Sequence, residues 1–216
     1  MNVTRRPAMQ QMASGRLVDI AHLHTTDVDF RGDVAPQLAR ICRFNGAVNG
    51  APYSVAQHCT LMAQHALDEY GDVYLAACCL LHDAHEAYCG DDTRPKMSAL
   101  DIIAKELLPA LPGPSQFIAQ LKNRLDKAIF SAARIPLPTP ETAGIVKRID
   151  ASILESERRQ LLAKPSEPWP GMGSVEPLRL IGAIKSWPPA VAETEWLDLL
   201  GVLCPRAIEA KPANGV

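Results

Sequence analysis

The chain has 216 residues, 47% hydrophobic and 21% charged, with a net charge of −2. This fits one globular domain with appendages, large enough to build a core without disulfide staples. The near-neutral balance argues against a coat for a nucleic-acid polymer, which needs a basic excess on one face. No run reaches the roughly 18 apolar residues of a membrane-spanning helix, and MNVTRRPAMQQMASG lacks the apolar stretch of a secretory leader. No membrane partner is therefore expected.

Residues 1–17 read as a flexible N-terminal segment, and 18–33 as a short, turn-rich stretch. From Val34 the pattern turns helical, with Val34, Leu38, Ile41 and Cys42 in register and Asp33 as N-cap; Asn45-Gly46 predicts a stop near Phe44. Ser54 caps a second helix whose stripe is Val55, Cys59, Met62, Ala63, Ala66 and Leu67, ended by Gly71. Asp72 caps a third, VYLAACCLLHDAHEAY, which is read as continuous to Gly90. A helix apolar nearly all round is central. Further helices are expected over 98–108, 115–134 and 141–163, separated by PALPGP and PLPTP. After a loop at 164–172, one or two short helices follow, the last around 189–203, before a frayed tail.

Strand patterns do not compete, so the fold class is all-α, a single-domain helical bundle. The core is 18–163, the C-terminal helical extension 164–204 and the tail 205–216. The 18 prolines fall between helices, where no N–H is lost. Six cysteines lie without C-x-x-C spacing, mostly in apolar helical patterns, and read as buried reduced thiols of a cytoplasmic protein.

The chemistry concentrates in His82-Asp83-Ala84-His85-Glu86, at the end of the most apolar helix. Burying ionisable groups costs several kcal/mol unless they are paired or hold a metal. His82 and Asp83 can flank one ion, and Glu86 lies one turn on, on the face of His82. Gly90-Asp91-Asp92 can fold a carboxylate back over the site. His58 opens the second helix, and Asp150 sits among Ile145, Val146, Ile149 and Ile153, where an acid again suggests a ligand. His58, His82, Asp83 and Asp150 form a mixed nitrogen and carboxylate set. It suits one divalent transition metal (Mn, Co, Zn, Fe or Ni) better than Mg or Ca. Water held there has a lowered pKa and can attack phosphorus or carbonyl carbon.

With ARICRFNG (39–46), YSVAQHC (53–59), LLHDAHEAYCGD (80–91) and KRIDASILESE (147–157), the chain resembles the HD-domain metal-dependent phosphohydrolases. The pattern is nearest the bacterial 5′-deoxynucleotidases and the phage dATP triphosphohydrolases. The resemblance implies an HD-type helical bundle with one metal on His58, His82, Asp83 and Asp150. It also implies a small deoxynucleotide, mono- or triphosphate, as substrate, and a homo-oligomer. Arg43, fifteen residues before His58, takes the place of the phosphate-binding arginine, and Phe44 that of an aromatic packed on the nucleoside, where some members have Trp. Glu86 takes the place of the catalytic glutamate and Asp91 that of the Gly-Asp aspartate. Where many members continue Leu-Pro, this chain reads Asp92-Thr93-Arg94-Pro95-Lys96.

A planar arginine fork suits phosphate oxygens, and either Glu86 or Asp91 can handle the proton. His85 reads as a pocket neighbour; His22, His24 and His65 read as loop, capping or core histidines. Arg94, Lys96, Lys147 and Arg148 each read singly as part of a solvated face, although a triphosphate pocket would want at least one of them; Trp169, Trp187 and Trp196 are read as packing anchors. The alternatives are a non-catalytic nucleotide-binding module and a phosphodiesterase; the second is weakened by the lack of further regularly spaced histidines.

Overall fold

In the computed structural model the described residues are 7–170, 174–180 and 182–209. The chain is all-α apart from one small hairpin. Strand β1 (Met9–Gln11) pairs antiparallel with β2 (Leu17–Asp19), in register Gln10↔Val18. Residues 7–17 are thus a hairpin and not an unstructured lead. Met12 and Val18 are buried. Asp33 pins the hairpin: it is fully buried, sits 2.5 Å from Arg16 Nη2 and accepts from the Ser14 N–H at 2.8 Å.

The first helical segment differs from expectation. It opens at Phe30 as a five-residue π-turn (Phe30–Val34), capped by Asp29 rather than Asp33, and runs into a short α1 (Ala35–Leu38). Asp29 accepts from the N–H groups of Arg31 and Gly32. Asp33 is committed to Arg16, so its carboxylate is not free to cap. Beyond α1 an isolated bridge, Cys42 to Ser54, brackets a tight turn over Arg43–Gly46. There Phe44 and Asn45 take left-handed backbone angles, φ 58° and 51°. Arg43 therefore leaves the helix, and its N–H donates to the Tyr53 carbonyl at 2.9 Å.

Helix α2 (Val55–Tyr70) begins at Ser54, which accepts from the Gln57 N–H, and ends at Gly71 in the left-handed conformation, as the sequence indicates. Helix α3 (Val73–Leu81) starts on Asp72, which accepts from Tyr74 and Leu75. It does not continue to Gly90. The α-helix stops at Leu81, a turn spans 82–85, and α4 (Glu86–Cys89) follows. Helices α5 (Arg94–Leu107) and α6 (Pro114–Ala132) form a hairpin, and α7 (Pro140–Leu161) returns across the bundle. Among the described residues of 174–188 there is no helix; α8 (Pro189–Leu203) and α9 (Pro205–Glu209) close the fold. The tail from 210 lies outside the described residues.

Prolines stand in the first turn of α1, α5, α6, α7 and α8, where the missing N–H has no intrahelical partner to lose. The core is centred on α2 and α3, whose Ala56, Ala63, Ala76 and Ala77 are small and buried. Helix α8 packs on α1, α2 and α3, so the extension joins the main core. Its anchor is Trp196, fully buried, with the ring centroid 6.2 Å from that of Phe30 and Nε1 donating to the Leu80 carbonyl. No helix of the described residues is long and apolar enough to cross a membrane. All six cysteines are free thiols, four of them buried.

Trp196→Ala removes the largest buried side chain and orphans the Leu80 carbonyl. The expected loss is about 3–5 kcal/mol, read as a lowered urea midpoint. Glu155 is a buried residue of α7 that accepts from Arg158 at 2.8 Å and Arg159 at 2.6 Å. The Arg158 hydrogen bond leads in lowering its pKa to about 2. The stabilisation is full above the ordinary value of 4.5 and is lost as pH falls toward about 2. Glu155→Gln should therefore be less stable than the parent at neutral pH, with the gap in urea midpoint closing between those limits.

Candidate metal centre

Three helices meet where α3 breaks. His58 comes from the first turn of α2, His82 and Asp83 from the end of α3, and Asp150 from the middle of α7. One ligand atom each of His58, His82 and Asp150 lies within 4.8 Å of the other two, and the His58 and His82 rings are 5.2 Å apart. Asp83 joins at His82: its Oδ2 is 3.1 Å from His82 Nε2.

The two rings are oriented alike. His58 Nδ1 is 2.6 Å from Glu157 Oε1, and His82 Nδ1 is 2.7 Å from the Cys79 carbonyl. Both partners only accept, so each Nδ1 carries a proton, and each Nε2 is the nitrogen left to take a metal ion or a second proton. Both Nε2 atoms are buried without a hydrogen bond. Yet His58 Nε2 is 3.4 Å from Asp150 Oδ1, and His82 Nε2 faces Asp83. A nitrogen lone pair facing a carboxylate is repulsive unless a proton or a metal ion lies between them. These residues fit a metal ion on that observation.

The electrostatics agree. Burial alone would disfavour a His82 imidazolium, but Asp83 outweighs it and raises the His82 pKa well above its ordinary value. Asp83 is lowered well below its own, His82 outweighing burial. Asp150 is lowered too, because the His58 ring outweighs the burial that opposes ionisation. Glu86 moves the other way: burial, then Asp83 and Asp91, push it up to about 9. The cluster is short of positive charge.

Behind the ligands lies a buried polar frame. Glu157, fully buried, accepts from Tyr53 Oη at 2.8 Å, from His58 Nδ1, and from Arg43 Nε at 3.3 Å. Arg43 is 8% exposed; its Nη2 is 3.2 Å from Glu157 and its Nη1 3.7 Å from Asp83. Burial would lower the Arg43 pKa, but Glu157, Asp83 and the rest of the site raise it, so it is a permanent cation. In front, a cavity of about 540 Å³ opens between α6 and α7, with His82 and Asp150 at one end and Lys127, Lys147 and Phe130 along its walls.

No protein-family model matches the chain. Over 152 residues it is 31% identical to the uncharacterized protein YfdR of Escherichia coli (strain K12), and the match covers 70% of this chain and 72% of that protein. The chain belongs to the YfdR family. The family name carries no activity, so the chemistry of this YfdR-family protein rests on the side chains that the fold assembles.

Those side chains are placed as follows. His58, His82 and Asp150 converge, with Asp83 against His82. Glu86 and His85 are buried beside Asp83. Asp91 follows Gly90, whose φ of 77° turns the chain sharply out of α4, and it lies in the fields of Arg43, Asp83 and Lys122. Burial leads in raising its pKa. Phe44 is held by Arg43, whose guanidinium lies 5.5 Å over its ring, and by Trp169, 6.5 Å away. Trp169 therefore packs at the site's edge, whereas Trp196 is core. His22 pairs with Asp19 near the surface, and His65 stacks edge-on against Tyr70, both away from the metal ligands.

Sequence reading misses Glu157, Tyr53, Lys122 and Asp126. Glu157 was legible in principle: it lies seven residues after Asp150, hence two helical turns on along the same face. Lys122 and Asp126 on α6 gave no signal, because an amphipathic helix with charges at those spacings reads as solvated. Cys59 Sγ, 3.7 Å from His82 Nδ1, was read only as core.

If Glu157 fixes the His58 ring for an ion, Glu157→Gln should weaken Mn2+ binding about 10–100-fold while the helical circular dichroism persists. Equilibrium dialysis reads this directly.

Proposed function

We propose that this YfdR-family protein is a metal-dependent phosphohydrolase of the HD-domain type. Its substrates are small deoxynucleotides, as mono- or triphosphates. The observation that carries the reading is the convergence of His58, His82 and Asp150, with Asp83 against His82 and a buried arginine beside Asp83, where His82 and Asp150 line an open cavity. His58, His82, Asp83 and Asp150 would hold one divalent transition metal. Such an ion supplies positive charge to a phosphate oxygen and lowers the pKa of water.

The chain's own residues do the rest. Arg43 is locked on one side by Glu157 and keeps its Nη1 edge toward Asp83, where it neutralises an anionic ester. Phe44 and Trp169 border that edge and offer an apolar wall to a nucleoside. Either Glu86 or Asp91 takes a proton from the attacking water, and the other stands behind it or returns one to the leaving oxygen. Lys127 and Lys147 line the cavity, where a longer phosphate chain would lie.

The test is a panel of deoxy- and ribonucleotides incubated with Mn2+ or Co2+, with products separated by chromatography. Release of phosphate, pyrophosphate or triphosphate from a nucleotide is expected, with deoxynucleotides preferred. Glu86→Gln should reduce turnover by about 10²–10⁴-fold with the fold intact. Tight nucleotide binding by the unmodified protein with no product would instead make it a binding module.

A further inference from the structure

Three histidines in this protein have a buried Nε2 without a hydrogen bond, and two of them are the nitrogen pair of the centre above. The third is His85. Its Nδ1 is 2.9 Å from Asp126 Oδ1 and so donates its proton there, while its Nε2 is buried with no hydrogen-bond partner. The residue is 5% exposed. Next to it Glu86, 4% exposed, also has an unpartnered buried atom, Oε2. Its other oxygen, Oε1, faces Lys122 Nζ at 3.8 Å. One ligand atom each of Asp83, His85 and Glu86 lies within 4.8 Å of the other two. An imidazole and two carboxyl groups thus converge, with one nitrogen of the ring and one oxygen of Glu86 left without a hydrogen bond.

We propose a second divalent-cation site formed by Asp83, His85 and Glu86, with Asp83 shared between it and the ion of His58, His82 and Asp150. The proposal rests on the reading of that first set as a metal centre, but not on hydrolysis. Asp126 is the positioning residue: it fixes the His85 tautomer as Glu157 fixes that of His58. The mixed nitrogen and oxygen set, with no thiolate, selects an ion such as Mn2+ over soft metals.

Charge supplies an independent argument. The buried and half-buried side chains around the break in α3 include six carboxylates: Asp83, Glu86, Asp91, Asp126, Asp150 and Glu157. They are faced by two cations, Arg43 and Lys122. Even with Glu86 protonated, the carboxylates outnumber the cations, so the site draws positive charge. A site left negative repels an anionic ligand, whereas a neutralised one accepts it.

The experiment loads the metal-free full chain with Mn2+ alone, removes excess by desalting and counts manganese per chain by mass spectrometry. Electron paramagnetic resonance follows on the same samples. The parent should hold two ions with the broadened signal of a coupled pair. His85→Ala should hold one, with the resolved six-line pattern of an isolated ion. Asp126→Asn, which keeps the packing of α6, should lower the affinity of one ion only; circular dichroism confirms that each variant is folded. One ion per parent chain, unchanged in His85→Ala, overturns the second site and leaves the first standing. Two ions in both proteins also overturn it. No manganese in the parent overturns both centres.

Discussion

Burying Glu157 is the constraint on which the rest of the site depends. An isolated carboxylate in a protein interior costs several kcal/mol even after relaxation, and it is tolerated only when donors converge on it. Here three do: the Tyr53 phenol, the His58 ring and the Arg43 guanidinium. Arg43 outweighs the burial that would raise the Glu157 pKa, so the group stays ionised. The three donors come from separate places: the turn after α1, the strand-like bridge before α2, and α2 itself. One carboxylate on α7 thus sets the relative placement of the His58 ring and the Arg43 fork.

The break in α3 is the second device. A continuous helix would have carried His82 and Asp83 on different faces of a single rod and kept Glu86 in register with His82. The turn at 82–85 instead sends the chain away from the α3 axis. Asp83 then meets both His82, at 3.1 Å, and the pair His85 and Glu86, within 4.8 Å. The His82 Nδ1–H, which donates to the Cys79 carbonyl, closes the end of α3 as a side-chain cap and fixes the ring at once. Local helix termination and ligand orientation are the same hydrogen bond.

The small net charge conceals strong local separation. Acidic side chains crowd the break in α3, and the basic groups near them are few and mostly held in pairs. Such a site recruits cations first and an anionic ligand only through them. That order is consistent with the proposed reading, in which the metal centre, Arg43 and Lys122 together make a small phosphate acceptable. It also explains why no broad basic face is needed.

Much of this was legible from the residues. Caps at Ser54 and Asp72, the left-handed stop at Gly71 and the prolines at helix starts are local chemistry, decided within one turn by hydrogen bonds that the neighbouring sequence supplies. The same holds for the suspicion attached to His58, His82, Asp83 and Asp150, since polar groups in apolar stripes need partners. What the sequence could not decide was long-range pairing. Asp33 looked like an N-cap, but Arg16 of the hairpin claims it, and Asp29 caps instead. Arg43 looked like a helix end, but the bridge to Ser54 pulls it into a left-handed turn. Glu157, Asp126 and Lys122 sit on amphipathic helices whose period fixes only which face is apolar. Which of their charges turn inward depends on the helix packed opposite, because a buried ion is stable only where another element brings its partner. The sequence by itself determined the caps made within one turn and the apolar faces, but not the break after Leu81. Only the tertiary structure decided which ions meet.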